Sequence, residues 1–183
     1  LAVSLGVIAV KTYMTVRTGT IRLAGTGREP VLELPVDCSF HCFLSHAWRT
    51  GQDQTHTVAR QLQLLVPEIK VWLDVDNLND VGKLEEAVCD SAVFVIFLSD
   101  GYFRSENCRR ELYTALTKKR PIVTVREADR DKGGASVQDL KQECMECCRD
   151  FDEGPGKVVG CVFAEEPVVW VRVRDFQICL LYT

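Results

Sequence analysis

AVFVIFLSDGYFRSENCRREL, residues 92–112, decides how this chain folds. Its apolar run, Ala92 to Leu98, is far shorter than the ~20 residues a membrane-spanning helix needs. A run of that length, rich in Val, Ile and Phe and closed by Ser99, Asp100 and Gly101, reads as a strand buried on both faces. Beyond it Cys108, Leu112, Ala115 and Leu116 recur at helical spacing, which predicts a helix entered at Ser105 as its N-cap. One acid, Glu111, stands early in that helix, at the edge of the inward stripe. Strand, turn and helix in that order form the repeating unit of a parallel sheet, where each crossover needs a helix's worth of chain.

The same unit recurs on either side. CSFHCFLS (38–45) leads through a polar stretch to a helix marked by Val58, Leu62 and Leu65, with Ala59 and Val66 beside them and Pro67 as the stop. IKVWLD (69–74) leads through VDNLNDVG into LEEAVCDS, and PIVTV (121–125) through EADRDKGGA into VQDLKQECMECC. PVVWVRV (167–173) leads into RDFQICLLYT. These units predict a flavodoxin-like, doubly wound five-stranded parallel sheet of order 2-1-3-4-5 with helices on both faces. Such a sheet has a functional address at the C-terminal ends of strands one and three, where the winding reverses. The loops there are 46–53 and 100–107, and Glu111 heads the helix leaving the second.

Residues 1–36 lack helical periodicity. KTYMTVRTGTIRL, rich in β-formers on both sides of Thr18 and Gly19, predicts a β-hairpin, and GTGREP with Pro35 supplies a connection. The expected division is an N-terminal extension over 1–36 and an α/β domain over 37–183. The chain opens on Leu1 rather than Met and reads as part of a longer protein.

Composition narrows the function. Lys and Arg number 22 against 26 Asp and Glu, so no broad basic surface is expected to hold a nucleic-acid backbone. Nine cysteines, an odd number set mostly in apolar stretches, suggest a reduced cytoplasmic compartment rather than a disulfide scaffold. CMECC (144–148) has zinc-like spacing, but there is no second CxxC and His41, His46 and His56 lie far away in sequence. Positions 144, 147 and 148 instead suit a buried helix stripe. No metal is expected.

FLSHA (43–47), WLDVDNLNDVG followed by LEEAVCDS, and AVFVIFLSDGYFRSENCRREL together resemble, in order, three motifs of the TIR (Toll/interleukin-1 receptor) domain family. The resemblance covers about residues 38–126 well and continues loosely to the end. Enzymatic members of that family cleave NAD+ to nicotinamide and an ADP-ribose product, with a Glu at the position of Glu111; others are noncatalytic adaptors acting through TIR-to-TIR contacts. By resemblance, Asp76, Asn77, Leu78, Asn79 and Asp80 form the loop that contacts a neighbouring TIR domain in a homo-oligomer. Asn107 stands where the plant and animal enzymes usually carry Trp, and this loop has no Pro where animal receptors often have one.

The chemistry suits a single acid. The nicotinamide nitrogen already carries positive charge, so the leaving group departs neutral and the acid–base pair of most glycosidases shrinks to one carboxylate. That carboxylate holds the ribose hydroxyls and stabilises the oxocarbenium-like charge where water is partly excluded. Glu111 is the candidate, with Asn107 and Cys108 one turn back on its face. Ser45, His46, Trp48 and Arg49 leave the first strand on the opposite wall; Arg49 suits a diphosphate and Trp48 a base. A Glu early in a helix also complements the macrodipole with no further role, and Trp48 and Arg49 equally suit a core cap and a solvated cation. NAD+ is here a substrate; no resident cofactor is expected.

Other functions on this fold fit less well. A phosphorylation receiver needs an acid pair after strand one and a Lys after strand five, where this chain has SHA and RDF, although Asp100 stands near the required Asp. A flavodoxin needs a tightly spaced hydroxyl loop, which TGQDQTHT lacks, and no strand leads into GPGK (154–157) to make it a P-loop. The main rival is a noncatalytic interaction module, which uses the same fold without Glu111.

Overall fold

The computed structural model describes residues 20–73 and 84–171. Among them run β1 (Phe40–His46), α1 (Trp48–Leu65), β2 (Val71–Leu73), α2 (Leu84–Cys89), β3 (Ser91–Leu98), α3 (Glu106–Thr117), β4 (Ile122–Glu127), α4 (Val137–Cys147), α5 (Pro155–Val162) and β5 (Val168–Trp170). The five strands form one sheet, every neighbouring pair parallel, in the order β2-β1-β3-β4-β5. The expected flavodoxin-like order is therefore the observed one.

Near-continuous apolar strands are what a sheet covered on both faces requires, and the burial follows the two-residue alternation of side chains. Phe43, Phe94, Ile96 and Leu98 face a large core closed by Val88, Leu112, Ala115, Leu140, Cys144 and Val158. Leu44 and Leu73 face the other way and meet Ala59 of α1, with Val58, Val71 and Val95 alongside. Burying each large side chain contributes about 1.5–3 kcal/mol, so the two layers outweigh any single polar contact. Phe43 stacks between Trp72 and Phe94, at ring-centroid distances of 4.3 and 5.5 Å, and so ties three adjacent strands together.

Three details differ from the sequence reading. The polar stretch after β1 is helix, since α1 begins at Trp48. Its inward face there is built of small or polar residues, Gly51 and Thr55, and the Thr55 hydroxyl satisfies itself on the Gly51 carbonyl at 2.7 Å. Residues 155–162 form an additional helix, α5, with Pro155 at its start, where a missing N–H costs nothing. Of the hairpin expected over 11–23, the part up to Gly19 lies outside the described residues, and Thr20 to Leu23 are not strand. They close a turn at 24–26 instead, with Leu23 N–H on the Arg28 carbonyl at 2.9 Å. The loop residues Asp76, Asn77, Leu78, Asn79 and Asp80 and the helix expected over 174–183 lie outside the described residues. Among the described residues no helix is long and apolar enough to cross a membrane.

Candidate functional site

β1 lies between β2 and β3, so the winding reverses between the C-terminal ends of β1 and β3, where His46 is in register with Phe97. α3 starts beside that point. Ser105 caps it, its hydroxyl accepting the Cys108 N–H at 3.4 Å. Cys108, Glu111, Leu112 and Ala115 form its buried stripe.

The stripe brings Glu111 against β1. The Ser45 hydroxyl donates to Glu111 Oε2 at 2.5 Å, a length typical of a hydroxyl on a carboxylate. The same Ser45 oxygen lies 2.7 Å from the Tyr102 hydroxyl. Ser45 has one proton and gives it to Glu111, so the Tyr102 hydroxyl is the donor of the second bond. The result is a directed chain, Tyr102 to Ser45 to Glu111, sealed at 0%, 1% and 4% exposure. Burial, then the neighbouring Cys108 and Glu111 side chains, push the Tyr102 phenol well above its usual pKa, which keeps it a donor.

The other expected residues divide between two places. His46 follows Ser45 in the strand, so its side chain points to the opposite face of the sheet, towards Gly51 of α1, while its carbonyl accepts the Cys108 thiol of α3 at 3.3 Å. Cys108 thereby ties α3 to the end of β1. Asn107 is partly buried on the first turn of α3. Trp48 and Arg49 sit on the first turn of α1 and line a separate open cleft of about 420 Å³ with Thr50, Asp53, Lys132 and Gly133. The Arg49 guanidinium is 3.6 Å from Asp100, and Thr50 bonds both Ser99 Oγ, at 2.8 Å, and the Asp100 carbonyl, at 3.0 Å. Ser45 and Glu111 are thus together, while Trp48 and Arg49 stand with the loop after β4.

Tyr102 was missed because it lies in a turn, where an aromatic shows no periodicity. Its place in DGYF, between the β3 run and the helix cap, was the available signal. In CMECC, Cys144 and Cys148 are fully buried against each other, Sγ to Sγ 3.8 Å, on the stripe of Leu140. Among the described residues no group of His, Cys, Asp and Glu is arranged to hold a metal ion.

The family model described as TIR domain matches residues 42–154, more than half of the chain and all of this site. No curated protein matches the chain.

Proposed function

From the premise that the chain belongs to the TIR domain family, a family of signalling and defence modules that meet through TIR-to-TIR contacts, we propose that it is an NAD+ glycohydrolase of the cytoplasm, activated by self-assembly into a homo-oligomer. The observation that carries this reading is Glu111: a carboxylate 4% exposed at the sheet's switch point, held by the Ser45 hydroxyl. A carboxyl group is costly to bury there in its charged form, and buried acids set in a cleft of the fold are candidates for a functional role. The C1′–N bond breaks with its electron pair going to the pyridinium nitrogen, which leaves as neutral nicotinamide. Glu111 stabilises the positive charge left on the ribose. Water, losing a proton, captures C1′ to give ADP-ribose, or an adenine nitrogen captures it to give a cyclic product.

Ser45 orients the carboxylate, and Tyr102 fixes Ser45. Arg49 and Trp48, in their cleft with Lys132, are assigned to the diphosphate and base of the substrate, beyond the reacting ribose. Carboxylate access requires neighbouring groups to shift, which contact with a second TIR domain through Asp76, Asn77, Leu78, Asn79 and Asp80 would supply. Nicotinamide release from NAD+ by assembled protein, compared with Glu111→Ala, tests this reading. Equal release by the two proteins refutes it.

The same low exposure favours one alternative, a noncatalytic module in which Glu111 only joins α3 to β1 through Ser45. That reading predicts normal TIR-to-TIR association and no nicotinamide release at any state of assembly.

A further inference from the structure

Glu143 is a second buried acid, 6% exposed, on the inner face of α4. It lies on a different element from Ser45, Tyr102 and Glu111, next to Cys144 of CMECC, and the mechanism just described makes no use of it. Its two carboxylate oxygens divide between two main-chain donors: Oε2 accepts the Gly101 N–H at 3.1 Å, and Oε1 accepts the Phe103 N–H at 2.8 Å. These are the N–H groups of the two residues on either side of Tyr102, while the Tyr102 N–H itself goes to the Ser99 carbonyl at 3.1 Å. The Arg104 guanidinium, 3.2 Å from Oε2, completes the pairing.

We infer that Glu143 is the positioning residue of the Tyr102–Ser45–Glu111 chain: by clamping the backbone on both sides of Tyr102 it fixes where the Tyr102 hydroxyl delivers its proton. Gly101, at φ +84°, makes the turn without a side-chain penalty, and Tyr102 N–H closes it on the Ser99 carbonyl at 3.1 Å; the Glu143 carboxylate adds the two bonds that reach this turn from another element. Tyr102 packs edge-on to Phe103, ring centroids 5.1 Å apart, and its ring is fully buried, so a displaced backbone carries the hydroxyl with it. A carboxylate taking two N–H donors makes charge-assisted bonds, roughly twice as strong as neutral ones. A Gln there keeps a single acceptor oxygen and opposes its amide N–H₂ to one of the two backbone donors. The catalytic part of this inference rests on the NAD+ reading; the positioning part does not.

The experiment combines Glu143→Gln, Tyr102→Phe and the double variant, with two readouts in the full chain. The first is thermal unfolding. Tyr102→Phe lowers the melting temperature of the wild type, and leaves it unchanged in Glu143→Gln because the hydroxyl is already misplaced. An equal drop in both backgrounds overturns the inference. The second is nicotinamide release by assembled protein. Glu143→Gln lowers kcat about tenfold with KM within about twofold, and the double variant is no slower than the slower single variant, as expected for residues acting through one group. A wild-type rate in Glu143→Gln overturns the catalytic part and leaves the NAD+ reading standing. Silence of the wild type itself, in verified oligomers, overturns the NAD+ reading and with it the catalytic part, while the unfolding result still decides the positioning part.

Discussion

Ser45→Ala is the substitution whose cost the structure defines best. Ser45 is 1% exposed and makes two bonds, donating to Glu111 Oε2 at 2.5 Å and accepting from Tyr102 at 2.7 Å. Alanine fits the space, so no clash enters the balance. A hydrogen bond to a charged group contributes about 1.5–3 kcal/mol, and a buried polar group left without its partner costs about 1–3 kcal/mol. Two partners are affected, but the site can relax around the smaller side chain, so a net loss of about 3 kcal/mol is expected. In a domain of this size each kcal/mol lowers Tm by roughly 2–4 °C, giving a fall of about 6–12 °C. Urea unfolding followed by tryptophan fluorescence measures it, with calorimetry for Tm. Tyr102→Phe sharpens the test: alone it costs about 1 kcal/mol, since Ser45 keeps its bond to Glu111, and in the Ser45→Ala background it costs nothing more. A loss under about 1 kcal/mol for Ser45→Ala, or additive effects of the two changes, would refute the directed chain.

Other expectations follow from the same structure. Gly134→Ala places a Cβ 2.6 Å from the Asp129 carbonyl oxygen and 2.9 Å from that of Glu127, both backbone atoms; a loss of about 1–3 kcal/mol is expected in urea unfolding. Arg49→Ala removes a pair at 3.6 Å whose side chains are 78% and 44% exposed, so stability stays within about 0.5 kcal/mol. On the NAD+ reading the same change raises KM and spares kcat, which steady-state kinetics separates. Burial pushes the Cys42 thiol up to about 11 from its ordinary 9.0. The unfolded thiol therefore ionises first, its contribution is fully present below pH 9 and is lost as pH rises towards 11, with a slope of up to about 1.4 kcal/mol per pH unit. Unfolding titrations of wild type and Cys42→Ala over that range should diverge, the variant showing the shallower decline.

The fold was legible because its evidence is local and repeated: the central strands β1 and β3 are apolar runs largely buried between the layers, and the runs of β1, β3 and β4 each lead on to a helix with an inward stripe. Glu111 was legible for the same reason, since its stripe and the order of the units place it at the switch point. The start of α1 was hidden because its inward residues, Gly51 and Thr55, are small or polar and leave no hydrophobic period. Tyr102 and Glu143 were hidden for a different reason. Their roles arise from contacts across 40 residues or more, Tyr102 with Ser45 and Glu143 with the turn before α3, and no spacing in the chain encodes them. Trp48, Arg49 and Ser45 looked like one wall because they are close in sequence. Strand alternation and the early helix start send them to different places.

The most direct measurement of the central claim is nicotinamide release from NAD+ by the purified chain, with its oligomers verified by light scattering, alongside Glu111→Gln. The assembled wild type releases nicotinamide steadily and the monomer slowly, and the variant's kcat falls at least about a hundredfold, as for loss of one electrostatic stabiliser. No release from verified oligomers, or equal release by Glu111→Gln, contradicts that claim.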